Sequence, residues 1–333
     1  MKLVSYSKAG EIQLGAIVNE GLYNLQSVNE NLPKHIIDFI QSEKALIDQT
    51  EMLLSKIADN SLNIAPETEF SLLAPVPHPT SCRDGYAFRQ HVASARRNRG
   101  VEMIKEFDQY PIFYFTNHNA VQGPGDIYCM PDHFQQLDFE LEVAIVIGKE
   151  GRNIKAKDAE AYIAGFTIMN DLSARKLQME EMLLNLGPAK GKDFSTVIGP
   201  WLVTPDELSP FLVPAKQGHV GNNYNLSMKC WVNDILVSEG NVKDMDWTFA
   251  EIIERCSYGV TIFPGDVIGS GTVGTGCFLE LNGTGKLHDP NYVPQWLQAN
   301  DTVKMTIDGL GTLVNTIKAE DTDWSILALK KLD

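Results

Sequence analysis

Apolar and polar residues alternate along the first 70 positions with the two-residue period of half-buried strands. The runs are Leu3 to Tyr6, Ile12 to Val18 and Leu22 to Leu25, with Ala9-Gly10 and Asn19-Glu20-Gly21 supplying the turns. The period then lengthens. Ile36, Ile37, Phe39 and Ile40, followed by Leu46, Ile47, Met52, Leu53, Leu54 and Ile57, predict helix. In Ala74-Pro75-Val76-Pro77-His78-Pro79 each proline disfavours helix in the residue before it, so this segment reads as an extended connector. Residues 1–71 are therefore expected to form a small β-rich N-terminal module, and residues 72–333 the main domain.

Beyond the connector the pattern predicts strands at Ile112 to Phe115, Leu137 to Ile147, Ile163 to Met169 and Leu226 to Val232. Further strands are predicted at Val267 to Gly269, Phe278 to Leu281, Val303 to Ile307 and Leu313 to Ile317. Helical pieces fall near 86–98, 156–162, 172–186 and 246–256. Strands and helices do not alternate regularly, so the expected class is α+β, rich in β, and not a doubly wound sheet.

Composition narrows the picture. With 28 basic and 43 acidic residues the net charge is −15, the wrong sign for a nucleic-acid surface. The longest apolar run, about Val143 to Gly148, is far too short for a membrane span, and the polar turn at Lys8 and Glu11 leaves no signal-peptide core. Cysteines 82, 129, 230, 256 and 277 are scattered, odd in number and without a CxxC pair, which fits a reduced, cytoplasmic protein.

Five segments carry candidate chemistry. In the strand Leu137 to Ile147, Asp138, Glu140 and Glu142 share one face. That is either a solvated acidic edge or a set of oxygen ligands for a hard divalent cation, which would relieve their repulsion. Asp171 stands where a strand gives way to a helix, as an N-cap or as a further ligand, with Arg175 and Gln178 on the same helical face. Asp84 and His91 are two turns apart if their segment is helical, and Arg96, Arg97 and Arg99 follow them. Lys192 lies on a glycine-flexible loop that is not a P-loop, because Asp193 takes the Ser/Thr position. Gly269 to Gly274 spell a dinucleotide fingerprint, but they lead into the predicted strand containing Glu280, so a phosphate site is not expected. What remains is a tight turn presenting Thr272 and a carboxylate that needs a partner.

Taken in order, these segments resemble the fumarylacetoacetate hydrolase family. The motifs are Asp84, Tyr86 and His91; Glu140 and Glu142; Asn170 through Gln178; Leu186 to Lys192; Gly271-Thr272; and Leu279 to Leu281. The resemblance implies a mixed β-sandwich roll and a soluble homodimer, with no nucleic-acid or membrane partner. It implies a Mg²⁺ or Ca²⁺ ion, or alternatively Mn²⁺, on Asp84, Glu140, Glu142 and Asp171. It makes His91 and Glu280 the catalytic pair, with Lys192, Arg175 and Gln178 shaping the charge of the site and Tyr86, Tyr114 and Thr272 touching substrate. The implied reaction is hydrolysis of a carbon–carbon bond in a small diketo acid, fumarylacetoacetate giving fumarate and acetoacetate. An acylpyruvate or fumarylpyruvate hydrolase, or an oxaloacetate decarboxylase or hydratase of the same fold, is the alternative. The family's arginine beyond the histidine has three candidate counterparts, Arg96, Arg97 and Arg99.

Overall fold

Nine strands run through the larger of two main sheets. In chain order they are β1 (Lys2–Lys8), β2 (Glu11–Val18), β3 (Gly21–Asn24), β4 (Cys82–Gly85), β5 (Phe113–Thr116), β6 (Leu141–Ile147), β7 (Ile163–Asp171), β8 (Thr196–Val203) and β9 (Val267–Gly269). The structure is a computed structural model that describes residues 1–331. Spatially the order is β3-β2-β1-β8-β7-β6-β9-β4-β5, with two short strands attached. All neighbours on this path are antiparallel except β9 and β4. The N-terminal strands join the sheet directly, Lys2 opposite Val203 and Leu3 opposite Leu202. The turns expected at residues 9–10 and 19–21 are present, with positive φ at Ala9, Gly10, Asn19 and Glu20.

β6 is buried on both faces, which explains its nearly unbroken apolar sequence. Val143, Ile145 and Ile147 point into one core with Phe166 and Ile168 of β7. Met228, Cys230, Met305 and Leu313 of a five-stranded second sheet complete that core. Ala144 and Val146 point the other way, onto Leu3, Leu14, Phe39 and Leu54. The helices used below are α1 (Lys44–Ala58), α2 (Arg89–Arg97), α3 (Arg175–Met182), α4 (Phe249–Ser257) and α5 (Phe278–His288). No helix is long and apolar enough to cross a membrane among the described residues.

Three local expectations are corrected. Phe278 to Leu281 is the first turn of α5, not a strand. Two glycines, Gly283 and Gly285, sit inside this helix where neighbours press against it. A Cβ at Gly283 would lie 2.4 Å from Nδ2 of Asn98, and one at Gly285 would lie 2.5 Å from the Tyr292 ring. Asp84 is on β4 and His91 on α2, so the two do not share a helix. The run 137–147 is interrupted: Leu137–Asp138 pairs with Ser173–Ala174, and β6 begins only at Leu141. β8 was not anticipated, since its sequence contains Gly199-Pro200, a pair that reads as a turn.

Candidate active site

The sheet centre places four carboxylates together. Asp84 comes from β4, Glu140 precedes β6, Glu142 lies within it, and Asp171 ends β7. All are buried, and one oxygen from each lies within 4.8 Å of one from every other. Two glycines make room for this approach. A Cβ at Gly269 would stand 2.5 Å from Oδ1 of Asp84 and 2.9 Å from Oε2 of Glu142. Gly271, at φ +81°, donates its N–H to Asp84 at 3.0 Å and to Glu142 at 3.1 Å. Thr272 Oγ1 reaches Glu142 at 3.4 Å.

Like charge in a dry site raises carboxyl pKa values. Burial, then the neighbouring Asp171, pushes Asp84 up to about 7. Burial, then Asp84, holds Glu142 well above the ordinary range, and burial also raises Asp171. Glu140 goes the other way, because Lys192, Arg175 and His91 outweigh its burial and bring it down to about 2. Lys192 Nζ bridges Glu140 at 2.5 Å and Asp171 at 2.7 Å, and Tyr114 donates its hydroxyl to Asp171. The other oxygen of Asp171, Oδ1, is buried with no partner. These residues fit a hard divalent cation: the donors are all oxygen, negative charge exceeds the buried positive charge, and a lone pair is left over.

The facing wall is electrostatically complete. His91 Nδ1 lies 2.7 Å from Oε2 of Glu280, and both residues are buried. A His91 ring nitrogen also comes within 4.8 Å of a Glu140 oxygen. α2 presents the histidine, and the first turn of α5 presents the glutamate. That turn is anchored by Asp138, which accepts from the N–H groups of Phe278 at 2.7 Å and Leu279 at 3.0 Å. Asp138 also accepts from Nε of Arg175 at 2.8 Å, while Nη2 of the same arginine donates to Glu140 at 2.6 Å. Asp138 thus leaves the face expected for it and becomes a clamp. Its bonds also close the helix N-terminus to a phosphate, so the glycine fingerprint forms no nucleotide site even though a helix does follow it.

Except for Arg97, the residues proposed from sequence border this region. Asp84, Tyr86, His91, Tyr114, Glu140, Arg175, Gln178, Lys192, Thr272 and Glu280 line one cavity of about 930 Å³. Glu142 lies behind its floor, bonded to Gly271 and Thr272. Arg175 and Gln178 do share a face of α3, joined at 3.0 Å, but Asp171 stays on β7 and the N-cap is Ala174. Of the three arginines, Arg96 and Arg99 reach the cavity, whereas Arg97 donates to Thr284. Phe107, Trp247 and Trp296 escaped the sequence reading, because they come from a single 3₁₀ turn and two separate loops with no periodicity to link them.

Comparison with known proteins identifies the family. Residues 80–318 match the family described as Fumarylacetoacetate (FAA) hydrolase C-terminal. The chain is 32% identical over 303 residues to oxaloacetate tautomerase FAHD2B, mitochondrial, of Bos taurus, covering 89% of this chain and 84% of that protein. It is 32% identical over 305 residues to oxaloacetate tautomerase FAHD2A, mitochondrial, of Homo sapiens, with the same coverage. Among solved structures, the fumarylacetoacetate hydrolase of Exiguobacterium antarcticum superposes with a TM-score of 0.66 at 24% identity. The maleylpyruvate hydrolase of Sphingobium sp. SYK-6, solved with manganese(II) and pyruvate, gives 0.68 at 21%. Each superposition covers 96% of this chain and 100% of the other, which establishes the shared fold. The chain belongs to the fumarylacetoacetate hydrolase family and is an enzyme of that superfamily.

Proposed function

We propose that this enzyme hydrolyses a carbon–carbon bond in a diketo acid, with a divalent cation on Asp84, Glu140, Glu142 and Asp171 and with His91 as general base. The observation that carries this reading is the buried His91–Glu280 pair, 2.7 Å apart, lining the same cavity as the carboxylate cluster and within 4.8 Å of its Glu140. When bound there, Mg²⁺, Mn²⁺ or Ca²⁺ supplies Lewis-acid polarisation of a carbonyl and stabilises enolate charge.

The chain's own residues account for the proton movements. Glu280 accepts from Nδ1–H of His91, which leaves Nε2 free to take a proton from water. The water oxygen adds to one carbonyl of the 1,3-dicarbonyl, and the bond from that carbon to the central carbon breaks. Its electron pair stays on the central carbon as the enolate of the other carbonyl, which takes a proton back from His91. Lys192, Arg175 and Gln178 present donors to the developing charge and to the substrate carboxylate, and Tyr86, Tyr114 and Thr272 shape the walls. With fumarylacetoacetate the products are fumarate and acetoacetate. A homodimer in a reducing compartment such as the cytoplasm belongs to the same reading. The five free, buried cysteines support the compartment, and light scattering tests the dimer.

The test is product identification by NMR after incubating Mg²⁺-loaded enzyme with fumarylacetoacetate, fumarylpyruvate, acetylpyruvate and oxaloacetate. Acid products from a diketone are expected, and metal-bound enzyme that cleaves none of them contradicts the reading. The tautomerase relatives favour a second one, in which His91 moves the C3 proton of oxaloacetate between keto and enol forms without adding water. Faster decay of the enol's ultraviolet absorbance, without cleavage of any diketone, would select it.

A further inference from the structure

The cavity is much larger than the reaction requires. At about 930 Å³ it lies near the top of the roughly 300–1,000 Å³ range that houses drug-sized ligands. The carboxylate cluster and the His91–Glu280 pair occupy one part of its lining, and oxaloacetate or acetylpyruvate would leave most of the remainder empty.

That remainder is mostly apolar. Phe107 is buried, Phe113, Trp247 and Trp296 are half-buried, and Ile104 and Met182 stand at the rim. These walls are fixed from below. Trp247 donates its indole N–H to the Phe107 carbonyl at 2.8 Å, and Phe113, Trp247 and Trp296 all pack on the main core. Among the described residues, the buried cations that line the cavity are Arg175 and Lys192, and both are engaged by the carboxylates. The other lining cations are more exposed. Arg96 donates Nε to the Glu102 carbonyl, Arg99 donates Nε to Ala95 at 3.1 Å, and Lys286 is exposed. Away from the reacting centre the lining therefore offers mainly ring faces and methylenes, with the neutral Gln136, Asn98 and Asn282, the half-buried Glu106 and no fully buried charge. Aromatic surface presented to water is unfavourable until something apolar covers it.

We infer that the natural substrate is a 2,4-dioxo acid whose acyl end carries an aromatic ring or an alkyl chain of about five carbons or more, enough to cover these walls. This rests on the diketo-acid reading above and names the class within it. The dioxo acid end lies against the carboxylate cluster and His91, and the acyl tail lies along Phe107, Trp247 and Trp296. Hydrolysis of benzoylpyruvate, for example, adds one water and gives benzoate and pyruvate.

Two measurements decide it. The first compares kcat/KM of Mg²⁺-saturated enzyme for acetylpyruvate, hexanoylpyruvate and benzoylpyruvate. Each fully buried methylene is worth roughly fourfold, so hexanoylpyruvate should exceed acetylpyruvate by at least about tenfold. The second titrates the His91→Ala variant with the same acids and follows tryptophan fluorescence. Benzoylpyruvate should bind at least about tenfold tighter than acetylpyruvate, and Trp296→Leu in that background should erase most of the difference. Binding and turnover that do not depend on tail size overturn the inference, and cleavage of acetylpyruvate then leaves the hydrolase reading standing. Tail-ranked binding to an enzyme that cleaves no diketone would uphold the tail subsite and remove the hydrolase reading instead.

Discussion

The two sides of the cavity are equally buried but electrostatically opposite. On the His91 side every strong charge has a partner. Glu280 meets His91, and the two oxygens of Asp138 take bonds from Arg175, Phe278 and Leu279. On the other side Asp84, Glu142 and Asp171 face one another, one oxygen of Asp171 has no partner, and Lys192 is shared. A completed network rigidifies what it holds, whereas an incomplete one is retained at a cost only if something else completes it. Under the proposed reading, the difference separates the part of the site that would orient a base from the part that would hold a cation.

The largest expected effect follows from that incomplete side. Exhaustive chelation should abolish activity, and Mg²⁺, Mn²⁺ or Ca²⁺ should restore it and raise the melting temperature by mass action. Asp171→Ala should lose the metal-induced shift. Full activity in enzyme shown metal-free by elemental analysis would dissolve the contrast. On the completed side, Asp138→Ala leaves Nε of Arg175 and two helix N–H groups without their acceptor. Breaking a buried pair in this way typically costs about 3–5 kcal/mol, which denaturant unfolding would register. A loss under about 1 kcal/mol would show that the clamp is not structural. Glu280→Gln should be milder still, lowering kcat by less than the ~10²–10⁴-fold typical of losing a base outright, because orientation weakens while the base remains.

The smallest effect is a pH dependence of metal stabilisation. Asp84 binds its proton more tightly in the folded protein, at about 7, than the ordinary 3.8 of an unfolded chain, because of burial and then Asp171. A carboxyl shifted upward destabilises the folded state progressively as pH rises between those two values, and fully above the higher one. Metal-free protein should therefore lose stability between about pH 4 and pH 7 through this group, and the cation takes the place of the proton. The metal-induced rise in melting temperature should be larger at pH 8 than at pH 5. An equal rise at both would mean that the cluster does not hold its protons this way.

Much of the site was legible in the sequence because its parts are local. Asp84, Tyr86 and His91, or Glu140 and Glu142, are tied by short spacings that survive whatever element carries them. The elements themselves were less legible. Glu280 was singled out as a carboxylate needing a partner and is paired with His91, yet its helix was read as a strand from the short apolar run Phe278 to Leu281, while Gly283 and Gly285 inside the helix answer to tertiary neighbours. Asp138 was grouped with Glu140 by strict alternation, which fails because the chain leaves its strand at Phe139. β8 was hidden by Gly199-Pro200, and the aromatic walls were invisible because Trp247 and Trp296 meet only in the fold.

The central claim is that His91 is the base. Its most direct test is His91→Ala, assayed on a diketo acid and on oxaloacetate decarboxylation with metal saturation confirmed for each. Retained fold and metal-induced stabilisation and a KM little changed are expected. Diketone hydrolysis should fall on the order of 10²–10⁴-fold, more than any loss of decarboxylation, for which no water needs activating. Hydrolysis by His91→Ala at the wild-type rate would contradict that claim and reduce the His91–Glu280 pair to a structural contact.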